Sequence, residues 1–200
     1  MRRCKADITR WFVFLLLLTA CGSATTIPRL TFEQITDQSE VIVTGEVTRS
    51  WTDWDASHQF IWTHHEISIA GTHKGRPSTT VIVSEPGGTV AGLGMAVAGS
   101  VAYQPGETVV VFLQRVPNGN LRTAGWGQGK YLVDRAGRLH ASDSLRGVHL
   151  VNVSGRTSSS GTPLKQLDGM SVQELSSRIA ARLKAQHLNG GAEPGAQTGR

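Results

Sequence analysis

Chemistry in this chain would have to come from its seven histidines, its glycine-rich turns, its serines or its two cysteines. His65-Glu66 opens a string like the zinc-protease HExxH motif, but the fifth position is Ile69. The segment also reads as a strand, whereas that motif needs a helix to bring both histidines to one face. His64 and His65 are adjacent, so on a strand they point to opposite faces and do not share a metal. His58, His73, His140, His149 and His187 are scattered along the chain and read as surface or half-buried side chains. Asp53-Trp54-Asp55-Ala56-Ser57 resembles the start of a calcium loop, but His58 and His64 stand where an EF-hand needs Gly and Glu. The glycine-rich residues 125–130 lack the P-loop pattern, because Ala124 and Tyr131 occupy its defining positions. No G-x-S-x-G occurs, and neither Ser100 nor the run Ser158-Ser159-Ser160 has a signalled partner. No catalytic residue, metal ligand or cofactor is assigned from these patterns.

The aromatic residues carry the stronger signal. Trp51, Trp54, Phe60 and Trp62 flank one hairpin turn, and Trp126 lies in a turn rich in glycine. Aromatics on exposed loops stack on sugars or anchor a protein partner. The competing reading is structural, with Trp51 and Trp62 packing across the hairpin. These five are the candidate binding residues.

The elements that would carry them follow an export signal. Arg2, Arg3, Lys5 and Arg10 precede an apolar run over residues 11–18 and the small residues Thr19-Ala20 before Cys21. A basic start, a short apolar stretch and small residues at the cut define a secretory signal. The run is too short to cross a bilayer, which needs about 20 apolar residues, and no later stretch qualifies. Leu18-Thr19-Ala20-Cys21 resembles the bacterial lipobox, which implies cleavage before Cys21 and lipid on its thiol. An ordinary cut after Ala24 is the alternative. Cys4 leaves with the signal, so the mature chain keeps one cysteine, at its first position. Secreted domains use cysteines in pairs, and lipidation explains the single one. Residue 22 is Gly rather than Asp, so the retention rule of enteric lipoproteins gives no reason to hold the protein at an inner membrane, and in a Gram-negative envelope an outer-membrane anchor facing the periplasm is expected.

Loss of residues 1–20 removes Arg2, Arg3, Lys5, Arg10 and Asp7 and leaves 16 basic against 14 acidic residues. The basic balance is thus partly a property of the signal, and a nucleic-acid partner is not expected.

Residues 21–30 read as a tether. Thr31-Phe32-Glu33-Gln34 is a capping box, with Leu30 and Ile35 as its staple, and predicts a helix to Ser39. Strands are predicted over residues 41–47, 60–70, 79–84, 108–113, 120–124, 130–133 and 138–141. Ile61, Thr63, His65, Ile67 and Ile69 share one face of the second. Many short strands with Gly and Pro turns argue an antiparallel barrel or sandwich over residues 31–153. Residues 154–170 read as a linker rich in Ser, Thr and Gly. Ser171-Val172-Gln173-Glu174 caps a second helix over 171–187, with Val172, Leu175, Ile179 and Leu183 on one stripe for docking. The tail 188–200 is expected to be disordered.

Ser39-Glu40-Val41-Ile42-Val43-Thr44-Gly45-Glu46-Val47, then His73-Lys74-Gly75 and Thr80-Val81-Ile82-Val83, then Pro105-Gly106-Glu107-Thr108-Val109-Val110-Val111-Phe112-Leu113 form an ordered series. The series resembles a group of uncharacterised exported bacterial proteins and, more distantly, the netrin-like and TIMP-like modules, over residues 30–135. The resemblance implies a mainly β fold, an OB-like antiparallel β-barrel with short N-terminal and C-terminal helices. TIMP-type inhibition needs a disulfide-clamped terminal cysteine with a free amine, and no second mature cysteine exists here, so that mechanism does not carry over. The function expected is a non-enzymatic, lipid-anchored binding module of the cell envelope, with an envelope protein or glycan as partner. A protease-inhibitor-like module, and a hydrolase or metal enzyme with a dispersed site, are the alternatives.

Overall fold

The computed structural model describes residues 26–143, 149–151 and 166–190. Cys21, the signal, and the tail beyond 190 lie outside them, as does the expected linker up to residue 165. The described chain is mainly β. In order, its elements are β1 (Thr26–Pro28), α1 (Phe32–Gln38), β2 (Val41–Trp54), β3 (Ile61–Lys74), β4 (Thr80–Pro86), β5 (Gly88–Val90) and β6 (Leu93–Met95). There follow β7 (Thr108–Arg115), β8 (Leu121–Thr123), a 3-10 turn (Trp126–Gly129), β9 (Lys130–Val133), β10 (Leu139–Ala141), β11 (His149–Val151) and α2 (Val172–Gly190).

Seven strands form one sheet in the order β10-β9-β7-β2-β3-β4-β8, and β8 pairs with β7 as well. The ladder that leaves β7 through β2, β3 and β4 therefore returns to β7 through β8, with a single parallel contact, Val83 to Leu121, between β4 and β8. The central strand β7 explains this arrangement. Its run Val109-Val110-Val111-Phe112-Leu113 is buried at every position, as expected of a strand covered on both faces. Val110 and Phe112 join Ile42, Tyr131 and Leu139 in a core closed by both helices. Val109, Val111 and Leu113 face the other way and join Val41, Val43, Val47, Ile67, Val81, Val83 and Tyr103. The first core is called the helix face below, and the second the valine face.

The helices form where their caps place them. Gln34 N donates to Thr31 Oγ1 at 3.2 Å, and Thr31 N donates to Gln34 Oε1 at 2.8 Å, a reciprocal capping box. Phe32 and Ile35 bury the inner side of α1. Ser171 Oγ accepts from Glu174 N at 3.1 Å at the head of α2. Leu175 and Ile179 are fully buried in the helix face, with Val172 and Leu183 packed beside them. Of the cations off that stripe, Arg178 lies 4.8 Å over the Phe32 ring, and Arg182 pairs with Asp37 of α1.

The strands run further than the sequence predicts. β2 extends to Trp54 rather than stopping at Val47, and β3 reaches Lys74. β7 covers β2 over Val41 to Glu46 only. Beyond that point β2 pairs with β3 alone, and residues 48–54 are polar except for Trp51 and Trp54, which stand three apart, so no apolar periodicity marks them. Within the ladder Gly45 has no substitute, since a Cβ there would sit 2.3 Å from the Ser68 carbonyl oxygen. The small hairpin of β5 and β6 was not expected. Residues 26–28 of the expected tether form a strand parallel to β11, with Ile27 buried. Leu167 and Met170, at the end of the expected linker, are buried in the helix face. Among the described residues, no helix is long and apolar enough to cross a membrane.

Candidate functional site

The β2–β3 hairpin is an arm whose two faces carry different chemistry. Trp51 pairs with His64 and Asp53 with Trp62, while Ser50 pairs with His65 and Thr52 with Thr63. Directly opposed residues project to the same side, and sides alternate along each strand. Trp51, Asp53, Trp62 and His64 therefore share the outer face. Ser50, Thr52, Thr63 and His65 share the inner one.

The outer face holds a groove of about 390 Å³ between the arm and the β7–β8 turn, lined by Trp51, His64, Ile82, Ser84, Arg115, Gly119, Asn120 and Leu121. Its floor is fixed in place. The Trp51 and His64 rings lie 5.3 Å apart, and His64 Nδ1 is 2.8 Å from Ser84 Oγ. The Arg49 guanidinium sits 4.7 Å over Trp51 and is held there by Glu66 Oε2 at 2.8 Å. Arg115 is gripped by Glu40 and donates to the Gly119 carbonyl at 2.8 Å, which ties the groove wall to the sheet. Half-burial of His64 pushes its basicity below the ordinary range for the side chain. Further along the sheet, Arg122 lies between two indoles, 5.8 Å from Trp62 and 4.6 Å from Trp126. Such cation–π contacts hold aromatic rings in one orientation at modest energy.

The five aromatics singled out by sequence thus fall into separate places. Trp51 lines the groove, and Trp62 and Trp126 bracket Arg122. Trp54 pairs with Ile61 on the inner side of the arm and stacks on His58 at 6.3 Å. Phe60 stands at the tip of the arm, 53% exposed. The turn between them is tied by Asp55, whose Oδ1 accepts from Gln59 N and Phe60 N and whose Oδ2 accepts from Ser57. That carboxylate closes the loop, so the calcium-like string is a hairpin turn. The glycine-rich residues 125–129 also have a structural task. Gln128 is fully buried; its Nε2 donates to the Pro28 and Gly125 carbonyls and its Oε1 accepts from Leu30 N. Gly125, at φ +61°, makes the left-handed turn that points Gln128 inward. The loop latches the N-terminal segment to the sheet.

No protein family, curated protein or solved structure gives a significant match to this chain.

The inner face carries a polar group that sequence reading missed. Ser50 Oγ lies 2.7 Å from His65 Nδ1. The His65 ring is buried against Tyr103 at 4.8 Å, and the Tyr103 hydroxyl lies 2.5 Å from Thr123 Oγ1. Lys130, also buried, donates to Glu107 Oε2 at 2.6 Å and to the Ala102 carbonyl at 2.7 Å, with its ammonium 4.4 Å over the Tyr103 ring. Glu85 is 1% exposed, accepts from Thr123 N at 2.8 Å, and lies 3.5 Å from Arg122. Burial raises the Glu85 carboxyl above its ordinary range. Burial first, and the Lys130 charge second, push His65 down to about 4. A serine beside a histidine in a cleft invites comparison with a nucleophile and its base. A general base works best with a pKa near the working pH, and burial with the Lys130 charge holds His65 below its ordinary range. Ser50 and His65 are read as neutral hydrogen-bonding groups. Among the described residues, no group of three metal-ligating side chains comes together.

A signal for this cluster was present in the sequence. Val81, Val83 and Glu85 alternate on one face of β4, so period two alone puts a carboxylate where valines are buried. Tyr103 and Lys130 gave no such signal, because their burial depends on the connection that leads from β4 to β7.

Proposed function

We propose that this chain is a non-enzymatic binding module, lipid-anchored through Cys21 at the cell envelope, that holds a glycan in its outer groove. We read the fold as an OB-like barrel. The pairing path from β7 through β2, β3, β4 and β8 back to β7, with one parallel contact, fits the five-stranded, partly open Greek-key barrel of that class. Modules of that class bind oligonucleotides or oligosaccharides across their second and third strands and the loops beside them, here β3, β4, the hairpin arm and the β7–β8 turn. The observation that carries the reading is the groove itself. It occupies that position, with Trp51 and His64 as a fixed aromatic platform and the Asn120 and Arg115 side chains along one wall. An aromatic face packs on the C–H side of a sugar ring, and amide and guanidinium groups hydrogen-bond its hydroxyls. Arg49 and Arg115 are each paired with a carboxylate, which removes the free positive charge that a phosphate backbone requires.

The test is retention of the full-length protein on insoluble cell-wall glycan. Trp51→Ala should cut binding at least tenfold and leave folding intact, whereas Trp54→Ala, on the opposite face, should leave binding unchanged. Equal binding by both variants and the unmodified protein removes the proposal. A second reading, docking of an envelope protein, is favoured by Ile82, 45% exposed beside the groove. Crosslinking in the native envelope, followed by identification of one enriched protein lost in Trp51→Ala, would replace the glycan by that partner.

A further inference from the structure

The hairpin arm has an edge as well as two faces. Its inner face looks onto a cavity of about 400 Å³ beneath the connection from Pro86 to Gln104. Its β2 edge is open. β7 covers β2 as far as Glu46. Val47 N then donates to the Glu107 carbonyl at 2.9 Å, and the Val47 carbonyl accepts from Gly106 N at 2.8 Å. From Thr48 to Trp54 no strand lies along that edge among the described residues. Thr48, Arg49, Ser50 and Asp53 are exposed. The register shows which backbone groups face outward. Gly87 N donates to the Ile61 carbonyl at 2.8 Å, so Ile61 turns its backbone toward β4, and Trp54, opposite Ile61, turns its own away from β3. By alternation Thr52 and Ser50 also present N–H and C=O to the open side.

An open edge is a template for another strand, and natural edges are blunted by Pro, Lys or short length. Residues 48–54 contain neither Pro nor Lys. They carry one charge of each sign, Arg49 and Asp53, which project to the outer face on either side of Trp51. Asp53 meets no lysine or arginine among the described residues, and its Oδ1 accepts from the neighbouring Trp54 N at 2.9 Å. Arg49 bonds Glu66 through Nε and Nη2, its Nη1 bonds no described residue, and its side chain is 65% exposed. The edge therefore offers a carboxylate and a guanidinium to whatever strand lies beside it.

We propose that this edge pairs with the same edge of a second copy of the chain, antiparallel about a two-fold axis at Trp51, so that each Arg49 stands opposite Asp53 of the other copy. In that register Ser50 opposes Thr52 of the second copy, and Thr52 opposes its Ser50. Those are residues whose backbone groups face outward, and such a pair exchanges both of its backbone hydrogen bonds. Arg49 with Asp53, and Trp51 with Trp51, fall in the non-hydrogen-bonded pairs, where side chains approach most closely. A two-fold interface must be self-complementary, and Arg49-Ser50-Trp51-Thr52-Asp53 is so in charge and in size. A slide of two residues toward the turn would set Arg49 against Asp55, whose carboxylate is spent closing that turn. A slide the other way would bring in Val47, whose edge is already taken. The pairing is independent of what the outer groove binds.

The test is co-purification of two differently tagged full-length copies, expressed together and solubilised in mild detergent. Unmodified copies should retain each other. Two copies of Asp53→Lys set Arg49 against lysine, and two copies of Arg49→Glu set glutamate against Asp53, so either pairing should lose about tenfold in retention. Asp53→Lys mixed with Arg49→Glu should recover it, because both cross-strand pairs are again of opposite sign. The melting temperature of each variant checks that it folds, and recovery in the mixture shows that neither variant failed for want of folding. The readout is association rather than glycan binding, so its failure leaves the groove reading standing. No retention between unmodified copies, undiminished retention between two Asp53→Lys copies, or no recovery in the mixture would each overturn the proposal.

Discussion

The two faces of the central sheet solve the same burial problem differently. The helix face is sealed by large side chains, with the Phe112 and Tyr131 rings in edge contact at 6.2 Å beneath Leu175 and Ile179. The valine face is filled by smaller residues, and toward the hairpin arm its inner positions turn polar, ending in Tyr103, Lys130, His65 and Glu85. A face that must only hold the molecule together excludes polar groups. A face that opens to a cavity keeps some, and ties them to partners, as Lys130 is tied to Glu107 and Tyr103 to Thr123. Stability and recognition thus occupy different sides of the same strands.

The largest expected effect breaks that contrast on the apolar side. Phe112→Ala should cost about 4 kcal/mol through lost burial and the void left behind, measured by denaturant unfolding. A cost below about 1 kcal/mol would mean that the helix face is not the main source of stability.

On the polar side the strongest effect is expected from pH. His65 is held neutral in the fold, with its pKa pushed down to about 4 from an ordinary 6.5. The unfolded chain takes up the proton more readily, so stability is full above about pH 6.5 and falls as pH drops toward 4. At about 1.4 kcal/mol per pH unit the loss approaches 3 kcal/mol. His64 and His73 are lowered in the same direction by burial and add to it. Unfolding curves between pH 7 and 4 measure the loss, and His65→Gln should flatten much of it. An unchanged slope in that variant would show that His65 does not report the polar face.

Smaller effects sharpen the role of the helices. Thr31→Ala removes the N-cap and should cost about 1 kcal/mol, seen as a lower denaturation midpoint with unchanged retention on glycan. Arg182→Ala separates α2 from Asp37 at a half-exposed pair. It should lower the midpoint less than Thr31→Ala does, and salt should shrink the difference. A larger effect than that of Thr31→Ala would make the inter-helix ion pair, rather than the apolar stripe, the seat of docking.

Local physics accounts for what the chain reveals without its fold. Thr31 and Ser171 announce helix starts because capping is settled within four residues. The run from Val109 to Leu113 announces a buried strand, and Val172, Leu175, Ile179 and Leu183 announce a docking stripe, because periodicity records which side meets water. The likeness of Leu18-Thr19-Ala20-Cys21 to a lipobox is equally local. The outer half of β2 was hidden because Thr48 to Trp54 follow no apolar alternation, yet they pair with β3 once it lies alongside. The division of the aromatics was hidden too, since adjacency in sequence says nothing of side until the register places Trp51 opposite His64 and Trp54 opposite Ile61. Only the tertiary structure decided that Lys130 meets Glu107, that Gln128 latches the N-terminal segment, and that Ser50, His65 and Glu85 share a cavity. Those contacts join residues far apart in the chain, and no local preference encodes them. They exist because burial of the apolar faces fixes the strands that carry these polar groups together.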